Sequence, residues 1–217
     1  VCILSIFIQT NGDFILTQNR DESIYRPTSP NVETREFFGR KITGPVDLNS
    51  GGTWIYYTDK YTVCVLNGGY ENHSHRPPYR MSRGLVILEL LKFASMDEFI
   101  SEINLDGIEP FTMLMIDLKS NQKQILVWDG KQKFVENLND EKLIVRSSST
   151  LYNASEKLFH KEKFEELEFI NYEEIYKIHQ KLAMPKNEKY PIVQSTSITQ
   201  IIYSGKVTNL KFCPIQI

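Results

Sequence analysis

Cysteine is scarce in this chain: three in 217 residues, at positions 2, 64 and 213. So few, odd in number and far apart, they exclude a disulfide framework and offer no closely spaced pair to a metal; a reduced, intracellular protein with one disulfide at most is expected. An excess of either charge is lacking too. Lys and Arg number 25 against 27 Asp and Glu, a formal net charge of −2, with the signs mixed along the chain. That balance gives no electrostatic reason for a nucleic acid or an anionic membrane as partner. No apolar run is long enough to cross a bilayer, and the first, Cys2 to Ile8, is too short and lacks the basic flank of a signal peptide. A soluble, cytoplasmic protein is the expectation. Histidine is limited to four residues, and only His73 and His75 stand close together. Imidazoles at that spacing suit a metal or haem, but no Cys, Asp or Glu cluster adjoins them in sequence. The pair is read as part of a solvent-facing loop, with no metal and no other cofactor expected.

What is present is a regular order of elements. Internal repeats are absent, and the length is most simply one domain spanning residues 1–217. Ile3 to Gln9 and Phe14 to Asn19 flank Asn11-Gly12, a strong hairpin signal. Thr53 to Tyr57 and Tyr61 to Leu66, rich in β-branched and aromatic residues, form a second hairpin. A Gly- and Pro-containing loop follows. Helices are expected over Ser82 to Phe93 and Asp97 to Ile103, and strands over Thr112 to Asp117, Gln124 to Trp128, Lys133 to Val135 and Leu143 to Val145. Asn153, with Glu156 three residues later, starts a capped helix running to about Glu166. Tyr172, Ile175, Tyr176, His179 and Leu182 sit at helical spacing, with Pro185 ending the helix and His179 in its apolar stripe. Two strands, Ile198 to Tyr203 and Val207 to Phe212, close the chain. Strands, a helical pair, strands, a helical pair and strands describe an α+β protein of antiparallel sheets with helical layers.

One stretch does not fit a simple strand end. After Phe14 to Thr17 the chain runs Gln18-Asn19-Arg20-Asp21-Glu22 without a Gly or Pro to break it. If Asn11-Gly12 form a two-residue type I′ turn, cross-strand partners have numbers summing to 23. Phe7 then faces Leu16, Ser5 faces Gln18, and Cys2 faces Asp21. A free α-amine on a cysteine is a ready base for its own thiol, and a carboxylate beside it holds the amine by a charge-assisted hydrogen bond. That chemistry requires removal of residue 1. Val1 is read as a GTG start translated as Met and trimmed before the small Cys2.

Cys2, Asn19-Arg20-Asp21-Glu22, Arg26-Pro27, Gly51-Gly52-Thr53-Trp54, Leu66-Asn67-Gly68 and Ser82-Arg83-Gly84 together resemble the NRDE family, also called the transport and Golgi organisation protein 2 family. That family is similar in turn to N-terminal nucleophile hydrolases such as bile-salt hydrolases and penicillin V acylases. The resemblance implies a four-layer αββα sandwich of antiparallel sheets. It implies Cys2 as nucleophile and α-amino base, Asp21 as the carboxylate holding the amine, Asn67 as oxyanion donor, and Arg20 as a cation in the same site. Asn19, Gly52, Trp54, Gly68 and Ser147 would border the substrate. The implied activity is hydrolysis of, or acyl transfer from, a linear amide or acyl compound at a non-peptide C–N bond. The alternative is a carrier that holds haem or an acyl-CoA or lipid ligand in the same pocket without chemistry. The chain departs from those hydrolases at Gln18, where they have arginine, at Ser147, near their second asparagine, and around Ser195 to Thr199, where their late arginine is missing. The sequence leaves the oligomeric state open.

Overall fold

The computed structural model describes residues 3–168 and 170–215, so Cys2 lies outside the described residues. The elements follow in the expected order. They are β1 (Ile3–Ile8), β2 (Phe14–Ser23), β3 (Glu33–Phe37), β4 (Arg40–Gly44), β5 (Ile55–Tyr57), β6 (Tyr61–Asn67), α1 (Arg83–Val86) continued by 3-10 turns (Ile87–Lys92), and α2 (Met96–Glu102). Then come β7 (Phe111–Asp117), β8 (Lys123–Trp128), β9 (Lys133–Asn137), β10 (Leu143–Ser147), α3 (Ala154–Glu165), α4 (Tyr172–Lys181), β11 (Val193–Ser204) and β12 (Val207–Pro214). The helix expected over Ser82 to Phe93 forms only one α-turn before tightening to 3-10 geometry.

The contacts divide the chain into two compact units. One comprises the chain up to Arg26 together with everything from Asp140 onward; the other is Pro27–Asn139. The first holds an antiparallel five-stranded sheet in the order β10-β1-β2-β11-β12. Odd-numbered residues of β1 and β2 face α3 and α4, where Ile3, Phe7 and Ile15 cluster with Tyr152, Phe164 and Ile175. Fully burying a phenylalanine such as Phe164 contributes about 2–3 kcal/mol. Helix α3 begins as the sequence indicates: the Asn153 side chain accepts from the Glu156 N–H while Glu156 reaches back to the Asn153 N–H, a capping box.

The register of the first hairpin corrects the sequence expectation by one residue. Ser5 pairs with Thr17, Phe7 with Ile15 and Leu4 with Gln18, so partners sum to 22 rather than 23. The Gly12 N–H donates to the Gln9 carbonyl (3.0 Å) and Gln9 N–H to that of Asp13 (2.8 Å), with Gly12 at φ 88°. This is a three-residue loop, a type I turn closed by a left-handed glycine, rather than the two-residue type I′ turn. The pairing of Cys2 with Asp21 drawn from that arithmetic falls outside the described residues. Strand β2 also runs further than expected, through the whole of Asn19-Arg20-Asp21-Glu22 to Ser23, because β11 continues to pair with it as far as Val193↔Ser23.

The second unit is an antiparallel seven-stranded sheet, β3-β4-β5-β6-β7-β8-β9. Strands β3 and β4 were not expected from sequence. Two sequence motifs meet in this unit. A Cβ on Gly52 would lie 2.7 Å from the backbone carbon and oxygen of Gly84, and one on Gly84 would lie 2.7 Å from the Thr53 carbonyl oxygen. The Thr53 N–H donates to the Gly84 carbonyl at 3.1 Å. Both glycines are therefore required by a backbone crossing. Because backbone cannot swing aside as a side chain does, Gly52→Ala and Gly84→Ala are each expected to destabilise by about 2–4 kcal/mol in denaturant unfolding, and a cost under about 1 kcal/mol would refute a rigid crossing.

Candidate active site

Within the polar run that ends β2, Asn19, Arg20, Asp21 and Glu22 each have an identified side-chain partner. Alternation along the strand sends Asn19 and Asp21 toward the helices and Arg20 and Glu22 to the opposite face.

Asp21 is fully buried. Its Oδ1 accepts from the Ser195 hydroxyl at 2.5 Å and its Oδ2 from the Tyr152 hydroxyl at 2.8 Å. Burial pushes its pKa above the usual carboxylate range, and the two hydroxyl donors only partly offset this. Ser195 is itself fixed: its Oγ accepts from the Met184 N–H at 2.8 Å. It faces Asp21 because β11 carries a bulge, with Ser195 opposite Asp21 but Ser197 opposite Arg20. The extra residue, Thr196, donates from Oγ1 to the Arg20 carbonyl at 3.0 Å and accepts from the Arg20 guanidinium at 3.4 Å. Such bulges re-aim side chains next to sites.

Asn19 is buried and clamps α4. Its Nδ2 donates to the His179 carbonyl at 2.9 Å, and its Oδ1 accepts from His179 Nδ1 at 2.6 Å. His179 therefore carries its proton on Nδ1, and Nε2 accepts from the Ser5 hydroxyl of β1 at 2.8 Å. Burial, with the nearby His160, depresses the His179 pKa to about 3, so the ring is neutral. His179 is a core residue, as its stripe position indicates, but a hydrogen-bonded one.

On the other face, Arg20 is 3% exposed and lies 4.0 Å from the Glu22 carboxylate, which is also 3.8 Å from Arg26. Burial works against ionisation of Glu22. The Ser23 N–H, Arg20 and Arg26 help to overcome it, and the carboxyl is held below its ordinary range. Ser147 ends β10 opposite Ile3 and bonds His160 Nδ1 at 2.8 Å. The His160 ring stands edge-on to Tyr152, centroids 4.7 Å apart. Asp21, Tyr152, His160 and Ser147 thus form one contiguous group on the helix side of the sheet.

The remaining expected site residues belong to the second unit. Asn67 is the last residue of β6, opposite Phe111. Gly68 follows at φ 86°, its N–H donating to the Pro110 carbonyl (2.9 Å) and its own carbonyl accepting from Thr112 Oγ1 (2.9 Å). Trp54 is buried at 6% exposure, its carbonyl accepting from Val65 N–H. Gly52 sits at the crossing with Gly84. His73 and His75 are not simply solvated. Both contact Glu109 Oε1 at 3.2 Å, and Arg83 pairs with Oε2 at 3.1 Å. Among the described residues no group of three or more His, Cys, Asp or Glu is arranged to hold a metal ion.

Tyr152, Ser195, His179 and His160 were not singled out from sequence as partners of the site. Ser195 lies 174 residues from Asp21, and no local pattern announces a bulge at Thr196.

Comparison with known proteins follows the same lines. A family model described as "Transport and Golgi organisation 2" matches residues 1–204. No curated protein sequence matches the chain. Among solved structures, a Cys-to-Ala mutant of the conjugated bile acid hydrolase from Clostridium perfringens is similar at a TM-score of 0.56 and 10% identity, covering 100% of this chain and 97% of that one. An arginine-to-leucine variant of the same hydrolase is similar at a TM-score of 0.57 and 8% identity, over 98% and 92% of the two chains. These likenesses show the fold: α+β, two antiparallel sheets with flanking helices, of the N-terminal nucleophile hydrolase kind.

Proposed function

The chain belongs to the Transport and Golgi organisation 2 family, and from that premise we propose that it is an N-terminal cysteine hydrolase or acyltransferase acting on a linear amide or acyl substrate. In this reading residue 1 is removed, and the freed α-amine of Cys2 takes the thiol proton as the sulfur attacks the acyl carbon. Asp21 holds the resulting ammonium, and a hydrogen-bond donor at the developing oxyanion would often contribute about 3 kcal/mol. Collapse of the tetrahedral intermediate leaves an acyl-thioester, and the departing amine takes up the proton; water or an acyl acceptor then releases the product and restores the thiol.

The observation that carries the reading is Asp21. A carboxylate buried at the end of β2, where the sheet's first strand begins, is costly unless something nearby uses its charge. Ser195 and Tyr152 fix its two oxygens in place. A cationic α-amine is the partner that favours its ionised form. One of the similar solved structures is a Cys-to-Ala mutant of a hydrolase with this fold.

Alkylation tests the reading on protein whose mature N-terminus has been established by intact mass. Cys64 is fully buried and serves only as an unreactive reference; the partly exposed Cys213 is the meaningful comparison. With its amine free, Cys2 is expected to react with iodoacetamide at neutral pH at least about tenfold faster than Cys213. Equal rates, or a retained residue 1, would remove the amine-base mechanism and favour the reading as a ligand carrier.

A further inference from the structure

Strand β12 forms one edge of the five-stranded sheet, and its Lys211 and Cys213 pair with Gln200 and Ile198 of β11. Gln200 in turn pairs with Thr17 of β2, so Gln200, Lys211 and Cys213 share the helix side of the sheet. There they line a cavity of about 370 Å³ together with Tyr172, Glu173 and Tyr176 of α4. The two tyrosines stand one helical turn apart and give the cavity an aromatic wall.

Two groups in this cavity have bonding capacity to spare. Gln200 is 2% exposed, and its Nε2 donates to Thr17 Oγ1 at 2.9 Å and to the Tyr172 carbonyl at 3.0 Å. A carbonyl can only accept, so the amide's orientation is fixed and Oε1 is the acceptor left over. Oε1 has no partner, yet it is not sealed in: it keeps access to the cavity. The second group is Cys213, a free thiol that is partly exposed. Tyr176 hydrogen-bonds to it, and partial burial together with that contact pushes the phenol's pKa up to about 12. The hydroxyl therefore stays protonated at neutral pH and donates to the sulfur, which favours a thiolate there. Charges of both signs flank the thiol. Glu173 supplies a carboxylate, and the Lys211 ammonium lies 4.0 Å from the Tyr172 ring centroid.

The accessible thiol beside a hydroxyl donor defines where a covalent bond can form. The unmet amide oxygen and the flanking charges define what is held there. We infer that Cys213 is a modification site, forming a mixed disulfide with a small zwitterionic disulfide that carries an amide. The Cys213 proton passes to solvent and the thiolate attacks one sulfur of the incoming disulfide. A new S–S bond forms, the old one breaks, and the departing thiolate takes up a proton from water. The ligand's amide N–H donates to Gln200 Oε1, while its carboxylate and ammonium meet Lys211 and Glu173. None of this depends on chemistry at Cys2.

Incubation of the full chain with oxidised glutathione at neutral pH, followed by acid quenching, intact mass and peptide mapping, tests the assignment. Neutral 2-hydroxyethyl disulfide is the comparison, and each rate is divided by that of the same disulfide with free N-acetylcysteine. Modification of Cys213 is expected to saturate with oxidised glutathione and to exceed the normalised hydroxyethyl rate at least about tenfold. Lys211→Met and Glu173→Gln, both at exposed positions, are each expected to slow the glutathione reaction about two- to fivefold and to leave the hydroxyethyl reaction unchanged. Gln200→Leu should slow it about tenfold, and the two rim variants keep the test open if losing the Gln200 bonds disturbs the fold. Tyr176→Phe is expected to slow both reagents alike, because it acts on the sulfur. A rate that rises linearly without saturating, equal normalised rates for the two disulfides, or rim variants that slow neither reagent or both alike would overturn the assignment. Peptide mapping reads Cys2 separately, so its reactivity does not enter the result.

Discussion

Replacing Cys2 with alanine is expected to abolish turnover, and Asp21→Asn is expected to lower it by at least about 100-fold without loss of stability. The second half of that expectation separates a functional carboxylate from a structural one. Asp21 has its folded-state pKa raised by burial. A folded protein that prefers the protonated carboxyl loses stability as pH rises from the ordinary aspartate range through the raised value. At neutral pH the charge at Asp21 is therefore a burden on folding, and the isosteric amide removes it. The Ser195 and Tyr152 hydroxyls rotate to donate or accept, so both still find a partner in Asn. Thermal midpoint and turnover should then move independently: the first unchanged or higher, the second collapsed. Asp21→Ala differs, because it removes the acceptor for the Ser195 and Tyr152 hydroxyl protons, at roughly 1–3 kcal/mol each. A large drop in the midpoint of Asp21→Asn, with activity retained, would make the residue a structural anchor and sink the proposed role.

How far the sequence revealed this arrangement depended on whether the signal was local. The Asn153 cap, the order of elements and the apolar stripe of α4 are written in neighbouring residues, and all three appear in the structure. Turn chemistry was less legible. Asn11-Gly12, the favoured type I′ pair, closes a three-residue loop, whereas a two-residue turn with both residues at positive φ occurs at Phe38-Gly39, φ 52° and 71°. Phe37 pairs with Arg40 across it. Phenylalanine there carries no turn signal, and the charged strands on either side, Glu33–Phe37 and Arg40–Gly44, lack apolar alternation. That is why β3 and β4 escaped notice. The run Asn19-Arg20-Asp21-Glu22 drew attention through its chemistry, but its partners are held by tertiary structure. Tyr152, His179 and Ser195 come from between 131 and 174 residues away, and one of them arrives through a bulge.

His179 carries the remaining large expectation, a loss of stability in mild acid. Its folded-state pKa is depressed to about 3 in full burial. A histidine whose folded value lies below its ordinary one, about 6.5, supports folding fully above that value and progressively withdraws support as pH falls toward the folded value. Each pH unit in that window costs about 1.4 kcal/mol, so moving from pH 6.5 to 4.5 should cost roughly 2–3 kcal/mol and several degrees of thermal midpoint. The hydrogen bonds are not what fails. Nδ1 already donates to Asn19, and the Ser5 hydroxyl turns to accept from a protonated Nε2. The penalty is that of a charge without water. His160, also depressed by burial, adds to the slope with the same sign. The depressed carboxylates Glu22 and Glu109 withdraw their support only as pH falls below the ordinary carboxylate range, whereas Asp21, its pKa raised, adds stability as pH falls and opposes the histidines, so it is the comparison with a variant that keeps Asp21 that isolates His179. In His179→Gln the amide has a donor for Asn19 and an acceptor for Ser5 but does not titrate. Thermal unfolding of that variant should start lower at pH 7.5 and decline less between pH 6.5 and 4.5. Equal slopes in the two proteins would show that His179 is not the group being charged. Because Ser5 belongs to β1 and Asn19 to β2, charging this one ring strains the two strands that lead to the proposed site. Turnover at pH 5 is therefore expected to fall further in the wild type than in the variant, each measured against its own value at pH 7.5.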